Sequence, residues 1–327
     1  MTSYDVARLA GVAQSTVSRC FQDDGGISPA TRLRVVEAAA QLGYVRNALA
    51  RSLITRRSNL IGVVITRYTL RGNPDVIHAI GEALAAAGKQ LLLVTVEGDY
   101  ATLESLRGLL EYPIEALVSC VLIPEADLGV LLGRRLPIVF YNREPDRLPV
   151  DSVSADHFHA AGRIAEALHA AGHRNFLCVG GPAVAPVSRQ RIQGFTATLH
   201  RLGASVSHVL ETDYAYAQAR AAFLAHMAGH KRPDAVFCAS DQLAFGVMDA
   251  CRFDLGWKPP RDLSVVGFDD VAEAARPIYE LTTMHQDSLT MAREAVRLLL
   301  LRLADPGSAP VGFIVPAVFM RRGSARL

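Results

Sequence analysis

The sequence predicts an α/β protein in which an N-terminal helix-turn-helix head and a short connecting helix precede a large two-lobed domain built on two parallel, Rossmann-like sheets. Three observations predict it. Residues 1–58 hold eight Arg and no Lys against four acidic residues, a charge of +4 on a chain whose net charge is +2, so the remainder sums to −2. Three short helical patterns punctuated by Gly11 and Gly43 fill that basic segment. From residue 60 onward, short apolar runs alternate with helical stretches. A length of 327 residues suits a small domain plus a two-lobed large one.

The first helix is read at 4–12, with Thr2 as its cap, Val6, Leu9 and Ala10 on one face, and a stop at Gly11, where a positive φ costs little. After the turn, a second helix over 14–21 buries Val17, Cys20 and Phe21 and turns Gln14, Ser15, Ser18 and Arg19 outward. Ser28 and Pro29 announce a third helix, whose Val35, Ala39 and Leu42 form a stripe that ends at Gly43. A basic head of this kind fits a polyanion partner, because phosphate contacts supply most sequence-independent affinity for DNA. Gln14 and Ser15, at the start of the second helix, stand where a recognition helix reaches base edges, and Gln forms a bidentate pair with adenine. Arg19, one turn on, pairs with guanine or grips phosphate.

The string Asp5-Val6-Ala7-Arg8-Leu9-Ala10-Gly11-Val12-Ala13-Gln14-Ser15-Thr16-Val17-Ser18-Arg19 resembles the head of lactose-repressor/galactose-repressor (LacI/GalR) regulators. Ser28-Pro29-Ala30-Thr31-Arg32, Leu42-Gly43-Tyr44, Asn47-Ala48-Leu49-Ala50-Arg51-Ser52-Leu53 and Ile61-Gly62-Val63-Val64 follow in that family's order and spacing. The resemblance implies DNA contacts from Gln14, Ser15, Thr16 and Arg19, and from Asn47, Ala50 and Leu53 of a hinge helix that pairs with its dimer mate in the minor groove. There Leu53 would wedge into a central base step. Seven residues make a marginal helix in water, so this one is expected to fold on DNA. Two positions depart from the family: Ala13 replaces a capping Ser or Thr, and Arg46 replaces a Pro ahead of the hinge. The implied domains are a head over 1–46, a hinge over 47–59 and an effector domain over 60–327, with one lobe at about 60–155 and 288–318 and the other at about 156–287.

In the large domain, strands are read at 60–66, 91–96, 116–122, 137–141, 175–180, 206–210, 234–239, 263–267 and 281–285. Helices include 75–88, 156–171, 190–203, 216–229, 241–255 and 288–304. Nine or more parallel strands imply two sheets, with ligands bound outside the carboxyl ends of the strands. The sequence has no G-x-S-x-G, G-x-x-x-x-G-K-[ST] or H-E-x-x-H, and no G-x-G-x-x-G after the first strand, so no enzyme and no cofactor are expected. Five scattered cysteines without C-x-x-C spacing suit reduced core thiols, and no metal is expected. His157 and His159 read as a surface pair at a helix start.

The segments Phe140-Tyr141-Asn142-Arg143, Gly180-Gly181-Pro182, 189–195, 240–246, Val266-Gly267-Phe268-Asp269-Asp270 and 281–286 are similar to the effector domain of the same regulators, a periplasmic-binding-protein-like fold. The resemblance implies that Arg191 and Asp269 bind the effector, with Asn142, Arg143, Ser240, Gln286 and Tyr68 as further contributors and Tyr214 as an aromatic platform. Arg67, Arg71, Arg143 and Arg191 together suggest an acidic ligand such as a sugar acid, with a neutral sugar as the alternative. The tail 320–327 lacks a leucine heptad, so a homodimer is expected, reading a pseudo-palindromic operator on double-stranded DNA. Apolar runs stay far below the roughly 20 residues of a membrane span, and the N-terminus lacks a secretory pattern, which points to a cytoplasmic, allosterically controlled repressor. The competing reading is a solute receptor without specific DNA readout.

Overall fold

The computed structural model describes residues 1–21, 26–45, 57–144 and 150–327. The hinge residues Asn47, Ala50 and Leu53 lie outside the described residues. The chain separates into two units, 1–58 and 59–327.

In the first unit, α1 (Ser3–Ala10) begins with a capping box in which Thr2 accepts from the Asp5 amide while the Asp5 carboxylate accepts from the Thr2 amide. It stops at Gly11, whose φ of 63° suits a residue without a Cβ. The turn leads into α2 (Gln14–Cys20), and α3 (Pro29–Gln41) starts on the Ser28 cap with Pro29 in its first turn. Val6, Ala7, Ala10, Val17, Cys20, Val35, Ala38 and Ala39 make the core. Leu9, expected on the inward face, is half exposed, because Ala7 takes its place against α2 and α3.

The second unit carries two parallel sheets and one small antiparallel sheet. The first is six-stranded in the order β11-β5-β4-β3-β1-β2, from β1 (Leu60–Thr66), β2 (Gln90–Val96), β3 (Ala116–Ser119), β4 (Ile138–Tyr141), β5 (Asp151–Ala155) and β11 (Gly312–Val315). It is covered by α4 (Arg67–Gly72), α5 (Asp75–Ala86), α6 (Leu103–Leu110), α7 (Glu125–Gly133) and α12 (Ser288–Ala304). The second is β7-β6-β8-β9, from β6 (Phe176–Gly180), β7 (Val206–Glu211), β8 (Ala235–Cys238) and β9 (Ser264–Val266), with α8 (His157–Ala170), α9 (Pro186–Arg201), α10 (Tyr216–Met227) and α11 (Asp241–Asp249). β1 shows why such strands form: its apolar run is buried along almost its whole length, as a strand sandwiched between two helical layers requires.

Several elements differ from the sequence expectation. β5 reads Asp-Ser-Val-Ser-Ala, yet it is wholly buried, because Asp151 is paired with Arg302 of α12 at 2.9 and 3.0 Å. An apolar run cannot reveal a strand whose polar groups are satisfied internally. β11 and β12 (Val318–Met320) were not among the expected strands, and α4, α6 and α7 were not among the named helices. The helix expected at 190–203 starts earlier, on Pro186, and α11 gives way to a π-turn over Ala250–Asp254. A third sheet pairs β10 (Thr283–His285) with β12, and the tail beyond it docks on the second lobe, where Ser324 donates to the Val265 carbonyl at 2.6 Å. All five cysteines are buried thiols.

Both parallel sheets reverse direction of winding beside their first strand, between β1 and β3 and between β6 and β8. That arrangement opens a crevice at the carboxyl ends of the strands.

Candidate effector cleft and DNA-reading helix

The carboxyl ends of the strands of the two lobes face a common cleft that encloses about 1030 Å³ of empty space, part of it open to solvent. All eight expected effector residues line it: Tyr68, Asn142, Arg143, Arg191, Tyr214, Ser240, Asp269 and Gln286. Arg67 and Arg71 do not line it, and Arg67 instead pairs at the surface with Glu97 at 3.0 Å. The chain is helical on both sides of Asn73-Pro74, so Tyr68 reaches the cleft from the first turn of α4.

Five side chains form a closed ring of hydrogen bonds. Arg191 is 3% exposed, pairs with Asp269 at 2.9 Å, and donates through Nε to His157 Nδ1 at 3.3 Å. An arginine nitrogen can only donate, so Nδ1 is the acceptor and His157 carries its proton on Nε2. That Nε2 meets Asn142 Oδ1 at 2.8 Å, Asn142 Nδ2 donates to Gln286 Oε1 at 3.0 Å, and Gln286 Nε2 donates to Asp269 Oδ1 at 2.6 Å. The Arg191 guanidinium also lies 3.8 Å above the Phe268 ring and donates to the Ala239 carbonyl at 2.6 Å. Asn142 comes from the first lobe, whereas His157, Arg191 and Asp269 come from the second, so the ring ties the lobes together.

His157, expected at the surface, is 2% exposed, while its neighbour His159 is open to solvent and capped by Asp156. Burial, with Arg191 and Arg143 nearby, pushes the His157 pKa well below its ordinary 6.5 and keeps the ring neutral, which the tautomer just derived requires. A second ion pair, Arg143 with Asp99 at 2.6 Å, lines the same cleft, and Arg143 Nε is buried with no hydrogen-bond partner among the described residues. Among the described residues, the cleft therefore holds two guanidiniums and two carboxylates, paired one to one.

Three non-glycine residues of the cleft have positive φ: Asn142 (56°), Tyr214 (67°) and Asp269 (126°). Such conformations are strained and persist where surrounding contacts hold them. Gly181 makes room for the Tyr214 ring, because a Cβ there would come within 2.3 Å of Tyr214 Cε2. Behind Asp269, the fully buried Asp241 accepts from Thr283 Oγ1 at 2.6 Å and from the Val271 amide at 2.9 Å. Burial, and then the nearby Asp269, raise its pKa from 3.8 to about 7.

A group that holds its proton more tightly when folded stabilises the fold most at low pH. Stability is therefore lost as pH rises from about 4 toward about 7. His157 acts oppositely below its ordinary 6.5, so the two partly cancel in wild type. The pKa of the Asp269 carboxyl beside it is also raised by burial, so the difference between wild type and Asp241→Asn reports Asp241 together with the part of the Asp269 shift that depends on it. Urea midpoints across this range should show the variant gaining on wild type as pH rises, by on the order of 2–4 kcal/mol in total. A pH-independent difference would remove Asp241 as the titrating group.

Sequence reasoning missed Asp99, Gln242 and His157. Asp99 and Gln242 line the cleft, and Asp99 follows the end of β2, a position that by itself invited inspection. Gln242 Nε2 approaches the Gly72 carbonyl of the opposite lobe at 3.4 Å. His157 had no local signal, since its burial depends on α9 and on Asn142.

In the head, α2 buries Val17 and Cys20 and turns Ser15 and Arg19 outward, with Gln14, Thr16 and Ser18 half exposed. Gln14 Nε2 donates to Ser3 Oγ at 3.2 Å, which steadies the side chain at the start of the helix. Ala13 provides no side-chain cap to α2.

The model for bacterial regulatory proteins of the lacI family matches residues 2–47, and that for a periplasmic binding protein-like domain matches residues 165–325. The HTH-type transcriptional repressor PurR of Photobacterium profundum is 30% identical over 310 residues, covering 93% of this chain and 92% of that protein. The chain belongs to the LacI family. This LacI-family chain is a DNA-binding transcriptional regulator with a small-molecule effector domain. Among solved structures, a Lac repressor dimer bound to operator and the anti-inducer ONPF superimposes with a TM-score of 0.88 at 26% identity, covering 100% of this chain and 99% of that one. A CelR–cellobiose complex matches with a TM-score of 0.74 at 28% identity, covering 99% and 100%. Among the described residues of this regulator, no helix is long and apolar enough to cross a membrane.

Proposed function

We propose that this regulator is a homodimeric repressor whose operator affinity is set by a neutral sugar or similar polyol bound between its lobes. The observation that carries the ligand class is the charge balance of the cleft. Arg143 and Arg191 are already matched by Asp99 and Asp269, so among the described residues of the cleft an added acid would meet no uncompensated cation. What the cleft offers is alternating donors and acceptors, the orphan Arg143 Nε–H, and the Tyr214 and Tyr68 rings, a combination that suits hydroxyl groups on an apolar sugar face. This reading favours the neutral sugar over the sugar acid. The cellobiose in the CelR complex is a ligand of that class.

Arg191 and Asp269 would grip adjacent hydroxyls, Asn142, Arg143, Ser240 and Gln286 would complete the polar lining, and Tyr214 and Tyr68 would pack against the ring. A ligand inserted there competes for bonds that join Asn142 to the second lobe, which gives it different affinity for different lobe arrangements. Because coupling is reciprocal, operator binding must change ligand affinity by the same factor. The polar groups are engaged with one another rather than set out as nucleophile and base, so the reading assigns no catalysis. A repressor works where the chromosome is, in the cytoplasm. Head 1–46, hinge 47–59 and effector domain 60–327 are the working parts.

On DNA, Gln14 and Ser15 would read base edges, Thr16 and Arg19 would hold the backbone or a guanine, and Asn47, Ala50 and Leu53 would engage the minor groove. The full chain, mixed with a genomic fragment library, should retain a short pseudo-palindrome whose recovery changes with one neutral sugar and not with the matching sugar acids. Gln14→Ala should cost about 1–3 kcal/mol on that site and relax preference at one position of each half-site. No enriched sequence at moderate salt, with a sugar still bound, would leave a solute receptor as the surviving reading. Retention that responds only to sugar acids would overturn the ligand class.

A further inference from the structure

Three imidazoles meet on the outer surface of the second lobe, in residues that neither the cleft nor the head uses. His208 sits on β7, an edge strand, His226 is in the last turn of α10, and His230 follows one turn later. The His226 and His230 rings stack at 4.0 Å with 12° between their planes, and the His208 ring stands edge-on to both, at 4.6 and 4.8 Å. One ligand nitrogen from each lies within 4.8 Å of the other two. We propose that His208, His226 and His230 form a binding site for a divalent first-row transition metal, of which Zn²⁺ is the physiological example.

The chemistry of the donor set supports this. Zn²⁺ bound by histidine nitrogen needs about 2.0–2.1 Å to each ligand in a near-tetrahedral array. The nitrogens therefore have to close in by roughly 1 Å, within the reach of χ rotations for side chains of which two are exposed and one is half-buried. His230 Nδ1 lies 2.9 Å from the His226 carbonyl oxygen, which can only accept. The proton is therefore on Nδ1 and the lone pair on Nε2, the arrangement in which a second-shell carbonyl orients a metal-binding imidazole. None of the three is in an ion pair among the described residues. Arg232, next but one to His230, directs its guanidinium over the Trp257 ring at 5.6 Å and toward Asp262 at 4.0 Å. Three imidazoles leave the fourth position open to water, and their borderline-soft nitrogens favour Zn²⁺, Ni²⁺ or Cu²⁺ over Mg²⁺.

Only part of the site is visible in the chain. His226 and His230 stand four apart, the spacing that places two ligands on one helical face, but His208 joins them only because β7 runs beside α10. The expectation of no metal rested on cysteine spacing and on the H-x-H pair, which do not bear on these residues. Binding would clamp β7 to α10 on either side of the connection that carries Tyr214 into the cleft.

The test uses the full chain stripped with EDTA and titrated calorimetrically with ZnCl2 and with MgCl2. One Zn²⁺ per chain is expected, with no Mg²⁺ binding at the same concentrations, and the thermal midpoint should rise with zinc alone. His208→Gln and His230→Gln, both exposed and so tolerated by the fold, should each weaken zinc by about 10–100-fold or more and abolish the thermal shift. Co²⁺ substitution should give visible absorption in wild type that both variants lose. Absence of zinc binding in wild type, or equal binding in wild type and both variants, overturns the proposal.

Discussion

Replacing Arg191 by Met is expected to lower the stability of the effector unit by about 3–5 kcal/mol, because the change strands a buried carboxylate. Asp269 would keep only the Gln286 bond at its Oδ1, and His157 Nδ1 and the Ala239 carbonyl would both lose their donor. His157 and Ala239 are buried, and the Asp269 side chain is only 15% exposed, so the lost bonds are replaced by water poorly or not at all. Urea unfolding of wild type and variant, followed by intrinsic fluorescence, measures the loss. Adding Asp269→Asn to Arg191→Met removes the stranded charge and should recover more than half of it. If the double variant is no more stable than the single, the carboxylate is not what makes the loss large. The single variant should also lose the response of DNA binding to the sugar while retaining the operator.

Gly194→Ala is expected to destabilise the second lobe by about 3 kcal/mol or more through overpacking. A Cβ at position 194 would lie 2.0 Å from the Phe158 carbonyl oxygen, whereas real Cβ atoms essentially never come closer than 3.0 Å. Backbone, not a flexible side chain, blocks it, so α8 and α9 would have to separate. Their close approach is continued by Gly162, where a Cβ would meet Thr198 Oγ1 at 2.7 Å. That approach also brings Arg191 of α9 to His157 at the start of α8. The variant should therefore lose sugar response along with stability. Gly108→Ala is the control: Gly108 lies in α6 with nothing within 4 Å of a Cβ, and alanine there should be neutral or slightly stabilising. Equal midpoints for Gly194→Ala and wild type would mean that the helices can part without cost.

The cleft was legible to the extent that its residues follow strands. Asn142 and Arg143 after β4, Ser240 after β8 and Asp269 after β9 stand at carboxyl ends, where parallel sheets present side chains to a ligand, and Gln286 follows β10 of the small antiparallel sheet. The charge of the cleft was not legible. Four arginines suggested an anion, but two of them do not line the cleft and the other two are matched by Asp99 and Asp269. Arginines can be counted in a sequence, but their partners come from other strands.

By itself the sequence determined what depends on local chemistry. Thr2 and Asp5 cap α1, Gly11 ends it, Ser28 and Pro29 begin α3, and the buried run of β1 makes a strand of a parallel sheet. Each of these follows from residues within a turn or two of one another. Only the tertiary structure decided that β5, polar in sequence, is a core strand, because Arg302 of α12 neutralises Asp151 from about 150 residues away. The tertiary structure likewise decided that His157 is buried and neutral, that five side chains from both lobes close one hydrogen-bond ring, and that His208 joins His226 and His230 on one surface. The physical reason is the same throughout. Burying a polar or charged group costs free energy unless a partner is supplied, and here the partners are supplied by long-range packing that local sequence does not encode.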